Sequence, residues 1–336
     1  MSKASSEPGI DAFRFFNMFA VVFAHAWWFM GPIERDDPRY LLLMMAQCSV
    51  PTFFITSGYF LRWQEGGRFA VPRWCLTKLL PVFLFWVVVY AFLGTLVGLG
   101  SFPSMVLSTA TGAQFPHLWF LPALGFAVSM TALALRTIGL RRTWILSVAL
   151  AAVGLFNGTY QMFLGLEANP LRVCVLTAPL LVLIGIYFRN SNPPRWPLVF
   201  GLAVIATYCL QVWDDELVTH APGYVVGKRV AVTLATIPYA VSVFLLARSL
   251  RPTRALEWLA ARKQHLLLIY CVHPLILTLI GLVWQQRGFD TFVAVTIVTY
   301  ALSALIAASL GLGRRRLRKH AVRKIAIGQS ATMSQV

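Results

Sequence analysis

The chain has 336 residues, of which 58% are hydrophobic and 12% are charged, and its formal net charge is +17 at pH 7. Soluble domains carry about 25% charged residues, so this composition excludes an ordinary soluble domain and predicts a polytopic membrane protein. A strongly basic soluble protein would suggest a nucleic-acid partner. Here the basic residues flank apolar runs, as they do in membrane proteins, and we expect no nucleic acid.

Apolar segments of about the length that spans a bilayer follow one another along the chain. Most approach the roughly 20 residues that a spanning helix needs, and lipid offers no hydrogen-bond partners to other backbone conformations. We therefore predict an all-α fold of about ten transmembrane helices, forming a single domain over residues 1–336. The segments are 12–32, 40–61, 79–99, 117–135, 143–159, 170–188, 196–213, 230–247, 265–284 and 291–312.

The basic residues between these segments predict the orientation of the chain. If the N-terminus is cytoplasmic, most Lys and Arg residues fall on the cytoplasmic side, as the positive-inside rule requires. Both termini are then cytoplasmic, and the chain closes with a basic tail over residues 313–336. This basic face suits anionic membrane lipids or a phosphorylated cytosolic ligand.

The first segment carries the strongest sign of chemistry, an arginine and a histidine eleven residues apart. Eleven residues are close to three helical turns, so Arg14 and His25 share one face, about 16 Å apart along the axis. Asp11 lies one turn before Arg14 and is placed to hold it. The arginine suits phosphate binding, and the histidine suits proton abstraction from a hydroxyl. The alternative is a snorkelling arginine with a histidine that is hydrogen-bonded inside the bundle.

The second segment and the loop after it bring further polar groups to the predicted cytoplasmic face. Ser57, Gly58 and Tyr59 offer two hydroxyls beside a residue that permits close approach. Arg73 and Lys78 follow in a basic stretch that enters the third segment and suits a polyphosphate ligand. The alternatives are small-residue helix packing for the first group and the positive-inside rule for the second.

Two further histidines lie in apolar segments. His117 opens the fourth segment beside Trp119, at the predicted outer interface, where contact with an acceptor is one interpretation and an aromatic belt another. His273 lies near the middle of the ninth segment. Pro274 interrupts the hydrogen-bond ladder there, so the histidine is placed to face a polar pocket. A histidine satisfied inside the bundle is the alternative at both positions.

Three other features are weaker. The acidic run Asp214, Asp215 and Glu216, followed by His220, predicts a solvated outer loop, with contact to a polar acceptor as the alternative. The five cysteines are scattered without metal-ligand spacing, so we expect no metal. P-loop, GxSxG, HExxH and GxGxxG motifs are absent.

Four stretches of residues 9–282 jointly resemble the acyltransferase-3 family of bacterial membrane acyltransferases. In chain order they are GIDAFRFFNMFAVVFAHAWW, FFITSGYFL, HLWFLPAL and IYCVHPLIL. The first helix is the most specific, because it carries the family's arginine and histidine with ten residues between them. The positions that match family motifs are Arg14 and His25, then Ser57 to Tyr59, Arg73 and Lys78, and Trp119 to Leu121.

The resemblance implies ten helices in the bacterial cytoplasmic (inner) membrane. It also implies an acyl donor, usually acetyl-CoA, supplied from the cytoplasm, and transfer to a hydroxyl, commonly of a surface or lipid-linked carbohydrate. Lys78 departs from the pattern, since arginine is common there and a lysine lacks the bidentate phosphate contact.

The hypothesis is an integral-membrane O-acyltransferase, with acyl-CoA, a carbohydrate or glycolipid and membrane lipids as partners. His25 would act as general base or as an acyl relay. Arg14, Arg73 and Lys78 would hold the coenzyme phosphates, Ser57 and Tyr59 would line the thioester path, and His117, Trp119 and His273 would contact the acceptor.

Two other functions fit the same residues. A secondary transporter for a polar solute or glycan precursor suits intramembrane Arg and His equally well, although we find no inverted repeat. A non-catalytic scaffold for polysaccharide assembly is the second alternative. The sequence leaves four points open. They are the acceptor, the acyl chain length, whether a covalent acyl-enzyme forms, and the oligomeric state, including whether the chain forms a homo-oligomer.

Overall fold

The computed structural model describes residues 7–30, 37–111, 116–161, 170–220 and 232–310. These ranges are helical apart from short turns and contain no strand, which confirms the predicted all-α fold. The predicted basic tail, residues 313–336, lies outside them.

Fourteen α-helices run through the described ranges. A π-helical turn, Cys75–Leu79, joins α4 to α5, and 3₁₀ turns occupy Trp27–Met30, Pro116–Trp119 and Lys263–His265. The helices are α1 (Pro8–Ala26), α2 (Pro38–Ala46), α3 (Ser49–Phe60), α4 (Ala70–Trp74), α5 (Leu80–Leu96), α6 (Phe102–Ala110), α7 (Phe120–Thr137), α8 (Gly139–Phe156), α9 (Pro170–Ser191), α10 (Pro197–Thr219), α11 (Thr236–Ser249), α12 (Arg254–Ala260), α13 (Leu266–Val283) and α14 (Phe289–Leu310).

Eight helical stretches in these ranges are long and apolar enough to cross a membrane. Each of the ten predicted segments contains a helix in the described ranges, with short turns in or beside some of them, but α1 and α11 are not among the eight. Helix α11 has only 14 residues, and α1 carries Asp11, Arg14 and His25 among its apolar residues. The number of crossings and the side on which the termini lie stay predictions.

Two apolar cores divide the bundle. The first lies among α3, α7, α9 and α11, around Phe54 and Phe244. The second lies among α5, α13 and α14, around Ile269. Helix α1 contributes Ile10 to the first core and Met18 to the second. Because α1 is shared between the two cores, its polar side chains can meet residues from both halves of the bundle.

Helices α3 and α9 make a backbone-to-backbone contact through two glycines. A Cβ atom added to Gly58 would collide with the Val182 carbonyl, and one added to Gly185 would collide with the Ile55 carbonyl. Small residues allow this approach, which is how helices associate where surrounding lipid is as apolar as the side chains. The small-residue packing considered for Gly58 is therefore present.

Large apolar side chains cover the outer face of α10. Leu198, Leu202 and Ile205 follow one another at a spacing of three or four residues, and each is more than half exposed. Water would disfavour such a face and lipid would not. The arrangement agrees with a helix at the periphery of a membrane-embedded bundle.

The predicted solvated loop at the end of the seventh segment is wrong for two of its residues. Helix α10 continues to Thr219, and Asp214 and Asp215 are buried in it. The Tyr160 hydroxyl donates to both carboxylate oxygens of Asp214, at 2.7 and 2.8 Å, and the Tyr40 hydroxyl donates to Asp215 at 2.9 Å. These hydrogen bonds compensate the carboxylates for the water they lose.

Candidate active site

Three histidines from distant parts of the sequence converge beside the last turn of α1. His25 lies in the last turn of that helix, His117 lies in the 3₁₀ turn before α7, and His273 lies in the middle of α13. The ring centroid of His25 lies 5.1 Å from that of His273 and 6.4 Å from that of His117, and the His117 and His273 centroids are 6.1 Å apart. The sequence singled out each histidine separately but did not predict that they meet.

The three rings differ in access and in hydrogen bonding. His117 and His273 are buried, whereas His25 is exposed. His25 Nδ1 lies 2.8 Å from the Val21 carbonyl. A carbonyl only accepts, so Nδ1 of the neutral ring carries the proton and Nε2 is the basic nitrogen. His25 is therefore the exposed ring of the cluster, and Nε2 is its proton-accepting nitrogen.

The buried members of the cluster are held by contacts within the protein. His273 Nδ1 lies 3.3 Å from the Ile269 carbonyl, and its Nε2 is buried without a hydrogen-bond partner among the described residues. The Tyr270 hydroxyl donates to the His117 carbonyl, which ties the 3₁₀ turn to α13. No group of three or more His, Cys, Asp or Glu side chains in the described ranges is arranged to hold a metal ion.

At the other end of α1, Arg14 belongs to a small ionic cluster. Its Nη1 lies 3.4 Å from Asp11 Oδ1, which confirms the predicted pair. The second oxygen of Asp11 accepts a 2.7 Å hydrogen bond from Lys263, a partner that the sequence analysis missed. Its only sequence signal is the run of basic residues between α11 and α13. The Arg14 side chain is 29% exposed, so it can still reach a ligand.

The Ser-Gly-Tyr patch lies at the contact between α3 and α9. The Ser57 hydroxyl donates to the Phe53 carbonyl of its own helix at 2.8 Å. The Tyr59 hydroxyl donates to Glu7 at 3.3 Å, and Glu7 in turn accepts from Arg195 at 2.9 Å. These contacts account for both hydroxyls inside the protein, and a role for them along a thioester path stays a prediction.

An open groove of about 550 Å³ lies on the loop between α3 and α5. It is lined by the predicted cytoplasmic cation Arg73 and by a second arginine, Arg68, next to Trp74 and Thr77. Lys78 follows in the π-helical turn, a rare form of helix that is frequent at functional sites. This part of the chain packs against α7, whereas Arg14 pairs with Asp11 of α1, which in turn accepts from Lys263 in the turn before α13. The predicted phosphate-binding cations thus fall into two groups held by different elements.

Several other arginines of the same predicted face are bound to backbone carbonyls. Arg136 donates to Trp63 and Gly66, and Arg189 donates to Leu61 at 3.1 Å. Arg248 is buried and donates to Pro193 and Asn192. These cations hold the loops that are predicted to be cytoplasmic in place, which the positive-inside rule alone does not show.

Trp119 lies inside the helix bundle rather than on an open face. It is partly buried against the first core, and its ring centroid lies 6.4 Å from that of Phe54. The following residue, Phe120, contacts Phe54 and Tyr270. The predicted contact of Trp119 with an acceptor is not tested by this packing and stays a prediction.

A family model described as an acyltransferase domain, Acyl_transf_3, matches residues 7–308. Two curated relatives, each named an amino-acid racemase of Enterococcus faecalis, are similar to the chain. One is 24% identical over 89% of this chain and 45% of the relative, and the other is 23% identical over 66% of this chain and 33% of the relative. The chain therefore spans less than half the length of these relatives. No solved structure matches it.

Proposed function

Because the chain belongs to the acyltransferase-3 family, we propose that it is an O-acyltransferase of the bacterial cytoplasmic membrane. It would move an acyl group, which we take to be acetyl, from cytoplasmic acyl-CoA to a hydroxyl of a cell-surface or lipid-linked carbohydrate. The observation that carries this proposal is the exposed His25 ring, backed by two buried histidines on a different helix and turn.

The chemistry of the transfer needs one proton acceptor and one leaving group. His25 Nε2 takes the proton of the acceptor hydroxyl as its oxygen attacks the thioester carbonyl carbon. A carbon–oxygen bond forms and the carbon–sulfur bond breaks, and the coenzyme thiolate leaves with the proton that His25 returns. In the relay form of the proposal, His25 Nε2 attacks the thioester carbonyl carbon, the carbon–sulfur bond breaks and the coenzyme thiolate leaves. The acceptor oxygen then attacks the acyl carbon, the nitrogen–carbon bond breaks, and the freed Nε2 takes the hydroxyl proton and passes it to the thiolate.

The donor would be held through its phosphates. Arg14 suits this role because Asp11 holds it from one side while 29% of its side chain stays exposed. Arg73, at the open groove, supplies a second positive site and Lys78 a third. Charge-assisted hydrogen bonds from arginine to phosphate are among the stronger polar contacts in proteins.

The racemase activity named for the curated relatives is not transferred to this chain. The region they share with it covers less than half of either racemase, and their printed names say nothing about which part of them carries the racemase activity. We do not propose it.

The test uses the purified protein in lipid nanodiscs with radiolabelled acetyl-CoA. Surface glycans from cells with and without the protein, compared by mass spectrometry, identify the acceptor. We expect His25→Ala to abolish transfer, since general-base help contributes about 10²–10⁴ in rate, and to leave acetyl-CoA affinity unchanged by calorimetry. His220→Ala, an exposed histidine at the end of α10, is the matched control. Near-normal turnover of His25→Ala, or uptake of sugar into vesicles without any acyl transfer, would overturn the proposal.

A further inference from the structure

The hydroxyl of Tyr90, on α5, is inserted into the backbone of α13. It accepts a 3.1 Å hydrogen bond from the Leu275 N–H and donates a 2.8 Å hydrogen bond to the Cys271 carbonyl. These two backbone groups are four residues apart and would pair directly in a regular α-helix. A side chain at this position of the ladder is one of the recognised causes of a helix bend.

The adjacent backbone hydrogen bond of the same helix is missing as well. Pro274 has no N–H, so the carbonyl four residues before it lacks its usual donor. The two altered hydrogen bonds are therefore consecutive, and His273 lies within the interrupted stretch, immediately before Pro274. The orientation of the His273 ring depends on how α13 runs through this short stretch.

The same tyrosine also contacts the second buried histidine. Its ring centroid lies 4.8 Å from that of His117, and the side chain is 1% exposed. One side chain thus fixes the helix that carries His273 and packs directly on His117. None of the sequence motifs included it.

We propose that Tyr90 is a positioning residue for the histidine cluster. Its hydroxyl sets the local path of α13 so that the His273 ring lies against His25, and its ring supports His117. The proposal rests on the proposed function for its catalytic consequence, but the placement of His273 can be measured without any turnover.

The test compares Tyr90→Phe with Tyr239→Phe. Both changes remove one buried tyrosine hydroxyl that donates to a backbone carbonyl, and Tyr239 donates to Met45 in a part of the bundle away from the histidines. Pro274→Ala is a second variant at the same interruption, and it carries the test if Tyr90→Phe does not fold. Folding of each variant is checked by its unfolding temperature in detergent.

Two measurements are made on the full chain. The first is the rate at which diethyl pyrocarbonate labels each histidine, resolved by peptide mass spectrometry. In the unaltered protein we expect fast labelling of His25 and protection of His273, which is 0% exposed. In Tyr90→Phe and Pro274→Ala we expect His273 to be labelled several-fold faster, and in Tyr239→Phe it should stay protected.

The second measurement is acyl transfer. We expect kcat of Tyr90→Phe to fall by roughly 10- to 100-fold with KM for acetyl-CoA little changed, because small misplacements of a catalytic group cost rates of that order. A stable Tyr90→Phe variant with unchanged His273 labelling and unchanged kcat would overturn the proposal. If the unaltered protein transfers no acyl group, the proposed function fails, while the labelling comparison still decides whether Tyr90 positions His273.

Discussion

Lys263 Nζ donates a 2.7 Å hydrogen bond to Oδ2 of Asp11, a residue 252 positions earlier in the chain. Asp11 is 1% exposed, and its other oxygen faces Arg14. The carboxylate therefore joins the turn before α13 to the arginine of α1. The direction in which Arg14 points is set by this carboxylate, and the position of the carboxylate is set partly by Lys263.

Lys263→Met tests this connection. We expect it to lower the free energy of unfolding by about 1–3 kcal/mol, because a buried carboxylate loses a charged hydrogen bond. We also expect weaker acetyl-CoA binding, since Asp11 would draw Arg14 more strongly once the Lys263 ammonium no longer competes for the carboxylate. Thermal unfolding and calorimetry measure the two effects. Arg254→Met, on the exposed side of α12, is the control, and equal effects from both variants would refute the connection.

The contact between α3 and α9 allows a second prediction. Gly58→Ala and Gly185→Ala should each destabilise the protein by roughly 1–3 kcal/mol or more, because the added methyl group collides with a backbone carbonyl. Gly201→Ala, on α10, adds a methyl group with nothing within 4 Å. It should be neutral or slightly stabilising, since alanine favours helix over glycine. Similar unfolding temperatures for all three variants would contradict the close contact.

The open groove leads to a third prediction. Arg73→Gln should weaken acetyl-CoA binding by about tenfold, the loss expected for one charge-assisted hydrogen bond. Added salt should reduce the difference in acetyl-CoA affinity between the variant and the unaltered protein. Arg141→Gln removes an exposed charge at the start of α8 and should change affinity little. If the two variants bind acetyl-CoA alike, the groove is not part of the donor site.

The buried end of α10 leads to a fourth prediction. Asp214→Ala leaves the Tyr160 hydroxyl and the Ala235 N–H without their acceptor. We expect a loss of about 1–3 kcal/mol in the free energy of unfolding, the usual cost of stranding buried polar groups. Glu216→Ala removes an acidic side chain that is 60% exposed and should have little effect. A similar, small change from both would restore the solvated-loop interpretation.

The sequence predicted the helices well, because apolar runs in a membrane protein have few other conformations available. It also predicted the Asp11–Arg14 pair, since residues three apart on a helix are neighbours regardless of the rest of the fold. Local spacing was enough for both. The meeting of His25, His117 and His273 is different, because it depends on how three elements rotate against one another.

The errors and omissions have the same origin. Asp214 and Asp215 look solvated in sequence because their partners, Tyr160 and Tyr40, lie 54 and 175 positions away. Lys263 and Tyr90 were not singled out for the same reason. A lysine in a basic loop and a tyrosine in an apolar helix are common in membrane proteins, so neither stands out in the sequence. Their roles follow from contacts that only the fold creates, Lys263 with Asp11 and Tyr90 with the backbone of α13.

The glycine contact between α3 and α9 also limits how the bundle can deform. A side chain yields to pressure by changing rotamer, but a glycine against a carbonyl has no such freedom. The two helices should therefore shift together as a rigid pair. Any movement that admits a bulky acceptor to His25 would then fall to the opposite half of the bundle, where Pro274 leaves α13 without one backbone hydrogen bond.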